Sequence, residues 1–194
     1  MVAEIICKML KSEMKKDFYP LKDEMFQMCL SLYAYKTKFK AFPYRFRKAT
    51  RYFLLEEAIA LRALSNEIIL HLCKLDEDKS KVSFHAAKKV LVKSKLSASE
   101  QNELNLKLKA FRRSINALKT LHRNRYIAHL TEDGYPDLLD LPSFENGYQE
   151  VAKLAYETFR FIWGDDVIFS FKVGSQEAIV LFNKELGLSE PQIA

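Results

Sequence analysis

"SASEQNELNLKLKAFRRSINALKTLHRNRYIAH", residues 97–129, is the stretch whose reading decides the fold. Ser97 followed by Glu100 forms a capping-box pattern: the serine oxygen can accept a backbone N–H at a helix start while the glutamate reaches back to the serine N–H. Leu104, Leu108, Phe111, Ile115, Leu118 and Leu121/His122 then recur at spacings of three and four. They fall on one face of a helix from about Ala98 to His129. Neither glycine nor proline interrupts it.

The same periodicity extends outward. "KATRYFLLEEAIALRALSNEIILHLCKL" (48–75) places Leu54, Ala58, Leu61, Leu64/Ser65, Ile68 and Leu72 on one stripe. A first helical region runs from about Val2 to Lys40, with a break at Tyr19 because Pro20 disfavours helical geometry in the residue before it. Pro43 ends the second piece. "DEDKSK" (76–81) is a polar connection, and Ser83 caps a short helix over "FHAAKKVLVKS". Residues 130–142, with Gly134, Pro136 and Pro142, read as a surface loop. Ser143 caps a further amphipathic helix to about Trp163, ahead of Gly164. In the tail, a short extended piece precedes a helix capped by Ser175. With five Gly and five Pro in 194 residues, long helices are favoured over a turn-rich β fold. The expected fold class is all-α: one domain over 1–194, an antiparallel helical bundle with a short C-terminal extension.

Composition narrows the function classes. Hydrophobic residues at 48% and charged residues at 29% describe a globular chain that can bury a core. No apolar run approaches the roughly 18 residues of a membrane span, and the N-terminus lacks a signal-peptide pattern. Cys7, Cys29 and Cys73 show no zinc or CxxC spacing and read as reduced thiols, so a cytoplasmic location is expected, with no membrane partner. The net charge of +6 conceals an asymmetry. Residues 1–131 carry 27 Lys/Arg against 13 Asp/Glu (+14), and residues 132–194 carry 4 against 12 (−8). An anionic partner for the first part follows, or mutual neutralisation within the fold.

The end of the opening stretch, "LHRNRYIAHL" (121–130), crowds His122, Arg123, Asn124, Arg125, Tyr126 and His129 together. Cations in a last helical turn are favoured by the macrodipole alone. Yet Arg123, five residues and His129, with polar Asn124 directly after the arginine, resembles the signature of the HEPN superfamily (higher eukaryotes and prokaryotes nucleotide-binding): an Arg, four to six residues, then a His. "RNRYIAHL" is most similar to the abortive-infection, AbiU-type branch. "LSNEIILHLCKLDEDKSKVSFHAAKKVL" (64–91) and "LPSFENGYQEVAKLAYETF" (141–159) carry a weaker likeness, so the HEPN-like core covers about 48–163. Thr131 departs from an acidic residue often found two places after the histidine.

The resemblance implies an α-helical homodimer with both motifs lining one cleft, and a metal-independent endoribonuclease needing no cofactor. Cleavage through the RNA 2′-hydroxyl requires a base and an acid, and two His129 side chains would supply both at neutral pH. Arg123 would fork onto phosphate oxygens and stabilise the charge that develops there. Asn124 would orient His129 or donate to the phosphate. On a straight helix Arg123 and His129 lie roughly 120° apart, whereas Arg125 shares a face with His129, as does His122. Arg125 is therefore a phosphate contact, and Tyr126 and His122 are substrate-side candidates. A toxin or phage-defence role is implied, with an antitoxin protein as possible partner. The alternative is a catalytically silent HEPN-like dimer that binds nucleotide, RNA or protein; a helical adaptor for acidic protein surfaces is a second rival.

Elsewhere, "YKTKFKAFPYRFRKATRYF" (35–53) interleaves Lys36, Lys38, Lys40, Arg45, Arg47, Lys48 and Arg51 with Phe42, Tyr44, Phe46, Tyr52 and Phe53. Cations beside aromatic faces suit single-stranded RNA, and Arg45, Arg47 and Lys48 are its candidate contacts. No acid stands between Glu103 and Glu132, so the long helix adds a second acid-free run. Asp133, Asp137 and Asp140 read as turn residues rather than metal ligands. His71 and His85 lack partners at ligand spacing.

Overall fold

The structure, a computed structural model, describes residues 16–47, 49–93, 96–120 and 141–188. Four of the described helices begin where oxygen side chains stand ready to accept orphan N–H groups. Thr50 Oγ1 accepts from the Phe53 N–H and Ser83 Oγ from that of Ala86, each at 3.2 Å. Ser97 Oγ accepts from Glu100 N at 3.2 Å while Glu100 Oε2 accepts from Ser97 N at 2.9 Å, closing the expected capping box. Ser143 Oγ accepts from Asn146 N at 3.2 Å. Each such cap stabilises a helix by about 1 kcal/mol.

A 3₁₀ turn at Lys16–Phe18 leads into α1 (Tyr19–Phe46), followed by α2 (Arg51–Leu75), α3 (Phe84–Lys93) and α4 (Ala98–Leu118). After residue 140 come α5 (Phe144–Gly147), α6 (Gln149–Trp163), the strands β1 (Ile168–Val173) and β2 (Gln176–Leu181), and α7 (Phe182–Glu185). The fold is an all-α bundle with a short C-terminal extension. α1 lies along α2 and α4 along α6, while α2 joins the pairs and α3 closes onto α4 and α6. One continuous core cluster runs through them. α1 contributes Leu21, Met25, Met28, Leu32 and Tyr35, and α2 contributes Leu61, Ile68 and Leu72. Leu104, Leu108, Phe111 and Ile115 of α4 are buried as their spacing requires. No helix among the described residues is long and apolar enough to cross a membrane.

Three expectations are corrected. Pro43 does not end α1, which continues to Phe46; proline removes one donor and crowds one carbonyl a turn back, so the residues just beyond it can remain helical. The helix that Ser143 caps is not continuous to Trp163. It breaks at Tyr148, whose φ of −130° and ψ of −26° leave helical geometry. Tyr148 is fully enclosed, with its hydroxyl 2.6 Å from Ser65 Oγ and its ring edge-on to Tyr35 at 5.2 Å, and that burial fixes the break. The helix then ends as expected, with Gly164 left-handed at φ 90°.

The third correction concerns the tail. Ser175 caps no helix; it stands in the two-residue turn of an antiparallel hairpin that pairs Val173 with Gln176 and Ile168 with Leu181. Gly174 takes φ 62°, the left-handed geometry that tight hairpin turns require and glycine allows. Phe169 seats the hairpin on α1, edge-on to Phe26 at 5.4 Å.

Candidate nucleic-acid interface

The stretch 121–130 lies outside the described residues, and with it Arg123, His129, Asn124, Arg125, Tyr126 and His122; so do Lys48 and the loop acids Asp133, Asp137 and Asp140. The chain on either side of 121–140 is pinned. Lys119 donates to Asp76 Oδ2 at 2.5 Å, and Tyr35 donates to the Pro142 carbonyl at 2.6 Å. A Cβ on Gly147 would stand 2.7 Å from Pro142 Cγ. Only glycine lets α5 come this close to that proline.

At the α1–α2 corner the basic aromatic segment divides. Lys38 donates to both oxygens of Glu57 at 2.9 Å, and Arg45 Nη1 lies 3.7 Å from the same carboxylate. The Glu57 side chain is only 12% exposed, so these cations are drawn inward. Lys36 donates to the Glu185 carbonyl at 2.7 Å and lies over the Phe144 ring at 4.9 Å. Burial, reinforced by Lys40, holds its pKa below the ordinary lysine value. Facing solvent are Arg47 and Arg51, the outer half of Arg45, and the rings of Tyr44 (84% exposed) and Tyr52 (81%). Phe42 packs partly against the core. Two exposed rings beside exposed guanidinium groups retain the means to stack a base and hold a phosphate. Lys36 and Lys38 are instead engaged within the fold.

The long helix shows a similar division. Asp76, at the end of α2, is 2% exposed and gathers cations from across the bundle. Arg112 Nε donates to its Oδ1 at 2.9 Å, and Lys119 to its Oδ2. Arg112 Nη2 reaches Asp78 Oδ1 at 2.9 Å. Burial alone would raise the Asp76 pKa, but hydrogen bonds from His85, Lys119 and Arg112 outweigh it and bring it to about 2. Lys107 is paired with Glu103 at 3.6 Å. The acid-free run of α4 is thus not free of acids in space, because the α2–α3 connection supplies them.

Both described histidines have carboxylate partners. His71 Nδ1 lies 2.7 Å from Glu24 Oε1, and Lys74 donates to the other oxygen of Glu24. Burial pushes the Glu24 pKa up, and the bonds from His71 and Lys74 bring it below the ordinary carboxylate value. His85 Nε2 faces Asp76 Oδ1 at 3.0 Å and Arg112 Nη2 at 2.8 Å. Arginine only donates, so that nitrogen must accept from Arg112 or donate to Asp76, one at a time. Sequence reasoning missed Glu24, Glu57 and Asp76 because their partners are remote; the adjacent acids of "DED" (76–78) were the available hint. Among the described residues no group of three metal-ligating side chains converges. Cys29 and Cys73 are buried thiols, and burial pushes the Cys29 pKa up.

Comparison with protein-family models, with curated proteins and with solved structures finds no match for this chain.

Proposed function

We propose that the protein is a metal-independent endoribonuclease that acts as a homodimer, with Arg123 and His129 of each protomer at a shared cleft. The observation that carries this reading is the string "RNRYIAH" (123–129), which follows the acid-free part of α4. It supplies a proton-transfer group near neutrality and a permanent phosphate-binding cation within seven residues. Asn124 orients His129, and Arg125, Tyr126 and His122 contact substrate. Arg45, Arg47 and Lys48 meet the RNA at the α1–α2 corner, where the exposed rings of Tyr44 and Tyr52 favour a single-stranded substrate. The exposed apolar residues Leu55, Ile59 and Leu70, all on α2, support a two-fold contact. In a cell such an enzyme works as a toxin or phage-defence effector in the cytoplasm, held in check by an antitoxin.

The test is cleavage of single-stranded RNA in EDTA, leaving 2′,3′-cyclic phosphate and 5′-hydroxyl ends while DNA survives. His129→Ala should remove the proton-transfer contribution, typically 10²–10⁴-fold, and Arg123→Ala a comparable factor. Reversing Arg45, Arg47 and Lys48 to Glu should weaken RNA binding and flatten its salt dependence. Activity that survives in His129→Ala, or that needs a divalent metal, overturns the mechanism. Thr131 favours one second reading, the silent dimer, which would bind RNA and cleave none.

A further inference from the structure

Several cations in the described part of the chain are held in ion pairs, and a group of exposed ones that are not shares two neighbouring helices. Glu57 takes Lys38 and Arg45, Glu24 takes Lys74, Asp76 takes Arg112 and Lys119, and Asp166 takes Arg160. Lys88, Lys89 and Lys93 on α3 and Lys109 and Arg113 on α4 make no ion pair with any described carboxylate. α3 contains no acid at all, and α4 has none after Glu103.

These five residues belong to one hairpin of helices. Four residues, 94–97, separate Lys93 from Ala98, a connection of the length that joins antiparallel helices. The start of α3 lies beside the second half of α4: Phe84 meets Phe111 edge-on at 5.4 Å, and His85 meets Arg112 at 2.8 Å. From that crossing, Lys89 is one turn along α3 and Lys109 about one turn back along α4. Antiparallel order therefore sets them level, with Lys93 beyond. Lys89, Lys93, Lys109 and Arg113 are all exposed, while Phe84, Ala87 and Leu91 fill the inner face of α3.

Both exposed pairs, Lys89/Lys93 and Lys109/Arg113, stand four apart on their helices. Like charges at that spacing repel and destabilise a helix. Glu24, Glu57 and Asp76 neutralise cations inside the fold; on this hairpin two repelling pairs are left without an ion pair. We propose that the α3–α4 hairpin is a second nucleic-acid surface that holds phosphodiester backbone through these lysines and Arg113, without reading bases. A pair of exposed cations on each of two neighbouring helices suits a polymer of closely spaced phosphates. The strip carries no exposed aromatic ring for stacking, unlike the α1–α2 corner. A bilayer is the poorer occupant, because only Val92 and Leu106 among the large apolar residues of this hairpin are exposed. The strip does not depend on the cleavage reading.

The test uses fluorescein-labelled 2′-O-methyl U20, which has no free 2′-hydroxyl to act as nucleophile, so binding is read apart from catalysis. Binding by anisotropy is measured across a salt series for the wild type and for K89Q/K93Q/K109Q/R113Q. A control, K16Q/K153Q/K172Q/K184Q, removes the same charge elsewhere. With four phosphate-binding cations removed, the slope of log K against log salt should shrink by about 3, and affinity at 0.1 M salt should fall on the order of 10²-fold. The control should change both far less, and the melting temperature of the strip variant should hold or rise as repulsion is relieved. Equal losses in strip and control variants overturn the proposal, as does an unchanged slope in the strip variant. So does a loss confined to phosphatidylserine vesicles or to poly-glutamate used in place of the RNA. A strip variant that melts several degrees lower would assign these residues to stability and overturn it too.

Discussion

Asp76→Asn is the sharpest probe of how the bundle is held. The substitution keeps size and shape and removes the one negative charge on which Arg112, Lys119 and His85 converge. In the fold the Asp76 pKa drops from the ordinary 3.8 to about 2. At about 1.4 kcal/mol per pH unit this corresponds to a stabilisation on the order of 2 to 3 kcal/mol at pH 7. A depressed carboxyl pKa contributes stability that is fully present above the unfolded value and is lost as pH falls through the folded one. The window is therefore about pH 4 to pH 2, and about half of the contribution should remain at pH 3. Urea unfolding at pH 7 and pH 3 reads this directly. The gap between wild type and Asp76→Asn should be about 2 to 3 kcal/mol at pH 7 and about half that at pH 3. A gap of the same size at both pH values, or none at pH 7, would show that the cluster contributes through packing rather than charge.

Other expectations follow from single contacts. Gly147→Ala should destabilise by about 1–3 kcal/mol through overpacking, read by thermal melting, because its methyl would stand 2.7 Å from Pro142 Cγ and 2.8 Å from its Cβ; Pro142→Gly, which removes both atoms, should relieve the clash. Ser97→Ala should cost about 1 kcal/mol in chemical denaturation by opening the capping box at the start of α4. Phe111→Ala should cost about 3–5 kcal/mol, since that ring is fully buried against Phe84. Ile59→Glu should leave the fold intact and convert a dimer to a monomer in light scattering, because Ile59 is 53% exposed; a mass unchanged by the substitution would move the two-fold contact off α2.

The helices were legible where short-range chemistry decides them. Ser83, Ser97 and Ser143 cap as read, and the Leu104-to-Ile115 stripe is buried as read. Elements whose ends depend on distant partners were not. The break at Tyr148 is set by Ser65 and Tyr35, and Arg112 and Lys119 find Asp76 across 36 and 43 residues of sequence. Nothing local in "FRRSINALKT" (111–120) tells a cation bound for an internal acid from one left facing water. For the tail, β-branched Ile179 and Val180 after a Gly-Ser turn are a legible strand signal, and it outweighs the capping pattern at Ser175. Of the nine candidate site residues only Arg45 and Arg47 fall among the described ones. Arg45 is half committed to Glu57, a division that composition cannot express.

The β1–β2 hairpin has a bearing on handling the protein. Among the described residues neither strand pairs with anything but the other, so each presents a row of backbone groups that a second chain can bind. The run "AIVLF" (178–182) is uncharged and rich in strand formers, and Ile179 is already 66% exposed in the folded chain. Lys172 and Glu177, 3.5 Å apart across the tip, and Lys184 just beyond it are the charges bracketing this run. They act as gatekeepers against strand-to-strand association. Substitutions at Lys172, Glu177 or Lys184 should therefore lower the yield of soluble protein during expression and concentration.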